Sequence, residues 1–233
     1  FDGLFGGPTT LREGVKWSIN LVAIHTIMEL APVQQVIDYA HRMGINEELP
    51  PYPSLAIGTG EVQPLEMTAA FNVFANEGIY ADPISILKIV DKDGNVLEEN
   101  KPKLHEVLSK QTAYILTTMM EDAVNGGTGT RVRKFFHRPC AGKTGTTQEY
   151  ADAWFMGFTP QLTAGTWVGF DNKAVHFISA DGQGGRAAAP IFGRFAEYVY
   201  DESSLRLPLE YFEQPSGVVR KEVCIDSKKT ATE

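Results

Sequence analysis

The sequence predicts an α+β fold: an antiparallel sheet flanked by helices, with a helical part ahead of it. Three observations carry this expectation. The first half places its apolar residues at helical spacing. A later stretch offers three short apolar segments joined by tight turns, which fold side by side. A last amphipathic segment is then available to cover the sheet.

The elements follow in order. Leu21 to Leu30 is an apolar-rich helix, with Asn20 or Ser18 available as its N-cap. Pro32 suits the first turn of a second helix, where Val33, Val36, Ile37, Ala40 and Met43 recur on one face before Gly44 stops it. Pro64 to Asn76 is a third helix, with Leu65, Ala69, Val73 and Phe74 as its buried face and Gly78 beyond its end. Ile84 to Asp91 alternates like a strand, and Asp93-Gly94-Asn95 turns it back onto Val96-Leu97 as a hairpin. Ser109 caps a long helix ending at Asn125-Gly126-Gly127. Pro139 to Thr147, Ala153 to Thr159 and Leu162 to Asp171 form the meander. Gly182 to Gly185 leads into a helix from about Ala188 to Asp201, carrying Ile191, Phe192, Phe195 and Val199. From Ser203 onward the chain reads as an extended tail, so 1–202 is taken as one domain and 203–233 as the tail.

The composition narrows the function. At 233 residues the chain can bury a real core. Its 43% hydrophobic and 21% charged residues are ordinary globular values, which excludes a disordered, collagen-like or coiled-coil chain. A net charge of −8 without a basic run argues against nucleic acid as a partner. The most apolar region, Ala153 to Phe170, is broken by Pro160, Gln161 and three glycines, so it does not read as a membrane span. Cys140 and Cys224 read as two unpaired thiols rather than a disulfide framework, and Cys140 as a plain strand residue. The five histidines show no spacing that suits a metal, and no cofactor is expected. Opening at Phe1-Asp2-Gly3 without Met, the sequence reads as a fragment.

Two short motifs carry chemistry. Lys143-Thr144-Gly145-Thr146-Thr147 on a strand offers a fixed cation, hydroxyl donors and a residue with no side chain. Gly145 lets a ligand backbone lie against the strand. Lys143 with the hydroxyls of Thr144 and Thr146 could hold a carboxylate, and the Thr146 N–H could face a developing oxyanion. The second motif is Ser18-Ile19-Asn20. On a continuous helix residues i and i+2 diverge by about 200°. Ser18 and Asn20 therefore converge only in a loop or at a helix start. Read alone, they could simply cap the helix that follows.

Together the motifs resemble the active-site set of class A β-lactamases and penicillin-binding proteins: Ser-x-x-Lys, then a Ser-x-Asn, then Lys-Thr-Gly. The flanks are similar to those of bifunctional, class A penicillin-binding proteins. They are Pro8 to Glu13, Pro64-Leu65-Glu66-Met67, Phe74 to Gly78, Gly126 to Thr130, Gly142 to Thr147 with Asp152 to Pro160, Gly185 to Phe192 and Cys224 to Ser227. The resemblance covers nearly the whole chain. It implies a β-lactamase/transpeptidase-like fold and a D,D-transpeptidase that cross-links peptidoglycan stem peptides through a serine acyl-enzyme and is acylated by β-lactams. By the same resemblance, Ser18 shares a proton relay with Lys143 and Asn20 holds the acyl amide. Thr144 and Thr146 bind the terminal carboxylate of a D-Ala-D-Ala end, and the Thr146 N–H forms half of the oxyanion hole. Gly145 and Thr147 complete that substrate-binding strand.

The resemblance also implies a missing part. No serine precedes Ser18, so the Ser-x-x-Lys nucleophile is expected upstream of this chain, along with the first strands of the sheet, a glycosyltransferase domain and a membrane anchor. The domain would face the periplasm or cell exterior. The one literal match, Ser85-Ile86-Leu87-Lys88, lies in a strand pattern where i and i+3 point to opposite faces, and it follows Ser-x-Asn, so it is rejected. Two alternatives stay open: a β-lactamase or D,D-carboxypeptidase on the same fold, and a non-catalytic β-lactam sensor or wall-binding module. Ile19 stands where a class A β-lactamase would want Asp.

Overall fold

The computed structural model describes residues 7–172 and 175–224. The Phe1-Asp2-Gly3 start and Ile225 to Ser227 lie outside the described residues.

The chain runs α1 (Leu11–Trp17), α2 (Asn20–His25), α3 (Val33–Arg42), α4 (Pro64–Ala75), β1 (Ile79–Ala81), β2 (Lys88–Val90), β3 (Val96–Glu99), β4 (Leu104–Glu106), α5 (Lys110–Gly126), β5 (Ala141–Thr146), β6 (Ala153–Phe158), β7 (Thr163–Val168), α6 (Gly184–Ala187) and α7 (Ala189–Asp201). This is the expected α+β arrangement. The main sheet has the order β5-β6-β7 and is antiparallel throughout, as the short turns required.

Side chains alternate across a sheet, so the register assigns faces. Ala141, Lys143 and Gly145 share one face with Phe158, Met156 and Trp154. Gly142, Thr144 and Thr146 share the other with Gly157, Phe155 and Ala153. On the first face Phe158 stacks with Phe74 of α4 at 6.3 Å between centroids, and Met120 of α5 packs into the same cluster beside Val15 of α1. On the second face Phe155 meets Phe192 of α7 at 5.2 Å within a core that includes Val124, Val132, Cys140 and Tyr200. A smaller core around Ile37, Ile45, Leu49 and Ala70 holds the helical part together.

Several sequence expectations are corrected. Neither Asn20 nor Ser18 caps α2: Ile19 is its N-cap, and no side chain makes the capping bond. Ser18 instead terminates α1, a helix the pattern reading missed although Thr10 opens it by accepting the Glu13 N–H at 3.2 Å. Beyond His25 the helix widens into a π turn over Thr26–Leu30. Leu65 is exposed, and so are Ile191 and Phe195, while Ala189, Phe192, Gly193, Ala196 and Tyr200 face the core from α7. The alternating stretch from Ile84 forms a strand only at Lys88–Val90, which pairs with β3 as an exposed hairpin. Ser85 to Leu87 lies outside any regular element. The pairing of β1 with β4 was not foreseen, because it joins two three-residue strands distant in sequence.

Candidate active site

β5 is an edge strand among the described residues, and it presents Lys143 toward the face on which α1 packs. Arg12 fixes α1 there. Its guanidinium donates to Asp122 Oδ2 at 2.6 Å, to the Thr118 carbonyl at 3.1 Å and to the Thr118 hydroxyl at 2.9 Å, all on α5. At the end of α1, Ser18 adopts φ 55° and ψ 49°, the left-handed region that normally favours glycine. The Ile19 N–H returns to the Gly14 carbonyl at 2.9 Å, and that of Ser18 to the Val15 carbonyl at 3.3 Å. This C-terminal motif reverses the chain and starts α2 immediately.

The reversal brings Ser18 onto Lys143. The Lys143 ammonium donates to Ser18 Oγ at 2.7 Å across 125 positions of sequence, and to the Thr144 carbonyl at 2.9 Å. Lys143 as a residue stays partly exposed, yet its ammonium is packed among protein atoms. That desolvation pushes its pKa down to about 8, because burial disfavours the charged form. A lysine so poised can exchange a proton with a hydroxyl near neutral pH. Asn20 opens α2 two residues after Ser18, at the helix start the motif required. Its side chain is exposed and has no hydrogen-bond partner among the described residues.

The threonines lie on the opposite pleat face from Lys143. The Thr144 hydroxyl is 2.8 Å from that of Thr128. The Thr146 hydroxyl accepts the Gly184 N–H at 2.9 Å. Thr147 closes the β5–β6 connection: its hydroxyl accepts the Asp152 N–H at 2.8 Å and its own N–H donates to the Asp152 carbonyl at 3.0 Å. Trp167 Nε1 donates to Asp152 Oδ1 at 2.9 Å and fixes that carboxylate. A Cβ on Gly145 would come within 3.1 Å of Trp154 Cβ, so cross-strand crowding is a second reason for glycine there.

Sequence reasoning gave no role to Arg12, Thr128, Asp152 or Gly184. The glycine clusters at 126–129 and 182–185 were the available signal. A Cβ on Gly184 would lie 2.2 Å from the Gly145 carbonyl oxygen and 2.4 Å from that of Trp154, so α6 approaches β5 and β6 backbone to backbone. Cys140 is fully buried, whereas Cys224 is exposed. Among the described residues no group of three or more His, Cys, Asp or Glu could hold a metal, and no helix is long and apolar enough to cross a membrane.

The family described as the penicillin binding protein transpeptidase domain matches residues 6–197. Penicillin-binding protein 1A of Aquifex aeolicus is 40% identical over 207 residues, covering 88% of this chain and 28% of that protein. Penicillin-binding protein 1A of Neisseria gonorrhoeae is 34% identical over 216 residues, covering 89% and 27%. The chain thus spans little more than a quarter of the length of these relatives. Among solved structures, penicillin-binding protein 1A from Haemophilus influenzae superposes with a TM-score of 0.88 at 24% identity, over 99% of this chain and 39% of that one. PonA1 from Mycobacterium tuberculosis, in complex with penicillin V, gives 0.79 at 25% identity, over 93% and 62%.

Proposed function

Because the chain belongs to the penicillin-binding protein transpeptidase family, we propose that it supplies one half of the active site of a serine-type D,D-transpeptidase. The observation that carries this reading is the Lys143–Ser18 hydrogen bond at 2.7 Å, with the lysine pKa pushed down to about 8.

The proposed reaction begins with a serine hydroxyl, from a Ser-x-x-Lys motif in the portion of the relatives' length this chain does not span. It attacks the penultimate D-Ala carbonyl of a peptidoglycan stem peptide, its proton passing to the lysine of that same motif. The new C–O bond forms, the peptide C–N bond breaks, and the terminal D-Ala leaves as an amine. That amine needs a proton. Ser18 passes one, and Lys143 replenishes it, a reading that their 2.7 Å hydrogen bond supports. An amine of a neighbouring stem then attacks the ester: the new C–N bond is the cross-link, the ester C–O bond breaks, and a proton from the amine returns to the serine oxygen. With a β-lactam the same attack opens the ring, so nothing leaves and the protein gains the whole drug mass. Asn20 holds the acyl amide. For a ligand lying along the β5 edge, Lys143 supplies positive charge for the terminal carboxylate from one face of the strand on a chain of net charge −8, with Thr144 and Thr146 as hydroxyl donors from the other, Gly145 for close approach and the Thr146 N–H toward the oxyanion. Residues 203–233 serve as the tail of the domain. The relatives' greater length leaves room for the glycosyltransferase domain and membrane anchor that the family resemblance implies, and by the same resemblance the domain faces the periplasm or cell exterior.

Intact mass after penicillin exposure tests the proposal on this chain and on a version extended upstream. The expected result is a gain of one drug mass by the extended version alone. A gain by neither would favour a non-catalytic wall-binding relative. A gain by this chain alone would place the nucleophile within it and overturn the assignment.

A further inference from the structure

The turn after α5, Gly127-Thr128-Gly129, has no part in the reaction as described, yet it touches α1, β5 and α6. The Thr128 N–H donates to the Lys16 carbonyl at 3.2 Å, two residues before Ser18. The Gly129 N–H donates to the Ala123 carbonyl at 2.9 Å. A Cβ on Gly127 would lie 2.3 Å from the Lys16 carbonyl oxygen, and one on Gly185 would lie 2.3 Å from the Thr128 carbonyl oxygen. The backbone of Thr128 is thereby wedged between α1 and α6. Its β-branched side chain is stiff at χ1, so a fixed backbone also fixes its hydroxyl. That hydroxyl lies 2.8 Å from the Thr144 hydroxyl.

A threonine hydroxyl carries one hydrogen and two lone pairs. Only one member of the pair can donate within it. If Thr144 donates to Thr128, its hydrogen is used up and its oxygen repels an anion. If Thr128 donates, Thr144 keeps its hydrogen for a ligand. We propose that Thr128 is a positioning residue that donates to Thr144 and so turns the Thr144 O–H toward the carboxylate of the ligand, setting the preference of the cleft for anionic over neutral ends. This inference rests on the reading of the site given above. A hydrogen bond to a charged group is worth more than one between neutral groups, so the arrangement matters most when a carboxylate is bound.

The test compares acylation rates by a penicillin and by its carboxyl methyl ester, using the version extended upstream. Thr128→Val is expected to lose about tenfold in the rate with the free acid and to stay within about twofold of the unsubstituted protein with the ester. Thr128→Ser, which keeps the donor, is expected to preserve the acid-to-ester ratio. Thr128→Ala serves the same comparison if valine does not fold. An equal loss with both compounds, or no loss with either, overturns the inference while leaving the transpeptidase reading intact. If the unsubstituted protein takes up neither compound, that reading fails and this one with it.

Discussion

The Ser18 hydroxyl accepts its hydrogen bond from Lys143 while the Ser18 backbone sits in the left-handed region at φ 55°. The residue that meets the lysine is thus also the residue that reverses the chain between α1 and α2. Glycine suits that conformation better than serine, so the local backbone preference and the side chain required at the site oppose each other.

Ser18→Gly is therefore expected to stabilise the fold by about 0.5–1 kcal/mol and to abolish the contact with Lys143. Ser18→Val is expected to destabilise it by more than 1 kcal/mol, since a β-branched side chain resists positive φ. Urea unfolding of the two variants against the unsubstituted protein measures both signs.

Lys143 makes stability depend on pH in a defined direction. Its pKa is about 8 in the folded state, against about 10.4 in an unfolded chain. Below pH 8 both states hold the proton, and the folded state bears the cost of a desolvated charge. Between those values the unfolded state binds more protons, so stability rises with pH through that window. Lys143→Met removes the charge. It is expected to be more stable than the unsubstituted protein by about 1 kcal/mol at pH 7, with the difference shrinking toward pH 10.5. Unfolding midpoints of both proteins across that range test the prediction, and an unchanging difference would remove desolvation as the cause.

Arg12 links the site to α5 through three hydrogen bonds from one guanidinium. Arg12→Ala is expected to cost about 1 kcal/mol, because the ion pair with Asp122 is partly exposed. Arg12→Lys should recover little of that, since one ammonium cannot span the same acceptors in a fixed plane. Denaturant titration checks both, and a full rescue by lysine would show that charge alone matters.

Two glycine substitutions should have opposite signs. Gly184→Ala places a methyl against the carbonyls of Gly145 and Trp154, so α6 must move off the sheet, at about 1–3 kcal/mol. Gly126→Ala ends α5 with a better helix former and meets the Lys16 side chain, Cε at 3.6 Å and Nζ at 3.9 Å, both ordinary contacts. It is expected to gain about 0.5–1 kcal/mol. Thermal unfolding of the pair decides.

The thiols differ in the same spirit. Burial raises the pKa of Cys140 to about 11, whereas Cys224 is exposed. An alkylating reagent at pH 8 is expected to label Cys224 in the folded protein and to reach Cys140 only after denaturation, as read by peptide mass.

What was legible in the sequence was local. Ser109 announced α5, and its hydroxyl accepts the Thr112 N–H at 3.2 Å. The turns of the meander left no alternative to an antiparallel order. Spacing alone could not show that Lys143 and Thr144 point to opposite faces, or that each already has a partner, because that depends on which helices cover the sheet. α1 was hidden for a different reason. At seven residues it shows no periodicity, and only the Thr10-x-x-Glu13 start marked it. The exposure of Leu65, Ile191 and Phe195 reflects the same limit: periodicity identifies an apolar stripe without saying how much of it is covered.

The β2–β3 hairpin has a different destiny from the sheet that bears the motifs. Every residue of its two strands is exposed, and among the described residues the strands pair only with each other. Insertions, deletions and substitutions at its Asp93-Gly94-Asn95 tip are free to accumulate over generations without disturbing Lys143 or Ser18. The same tip is where a protease would nick the folded chain first, and where a fluorophore or affinity tag could be carried without touching the cleft.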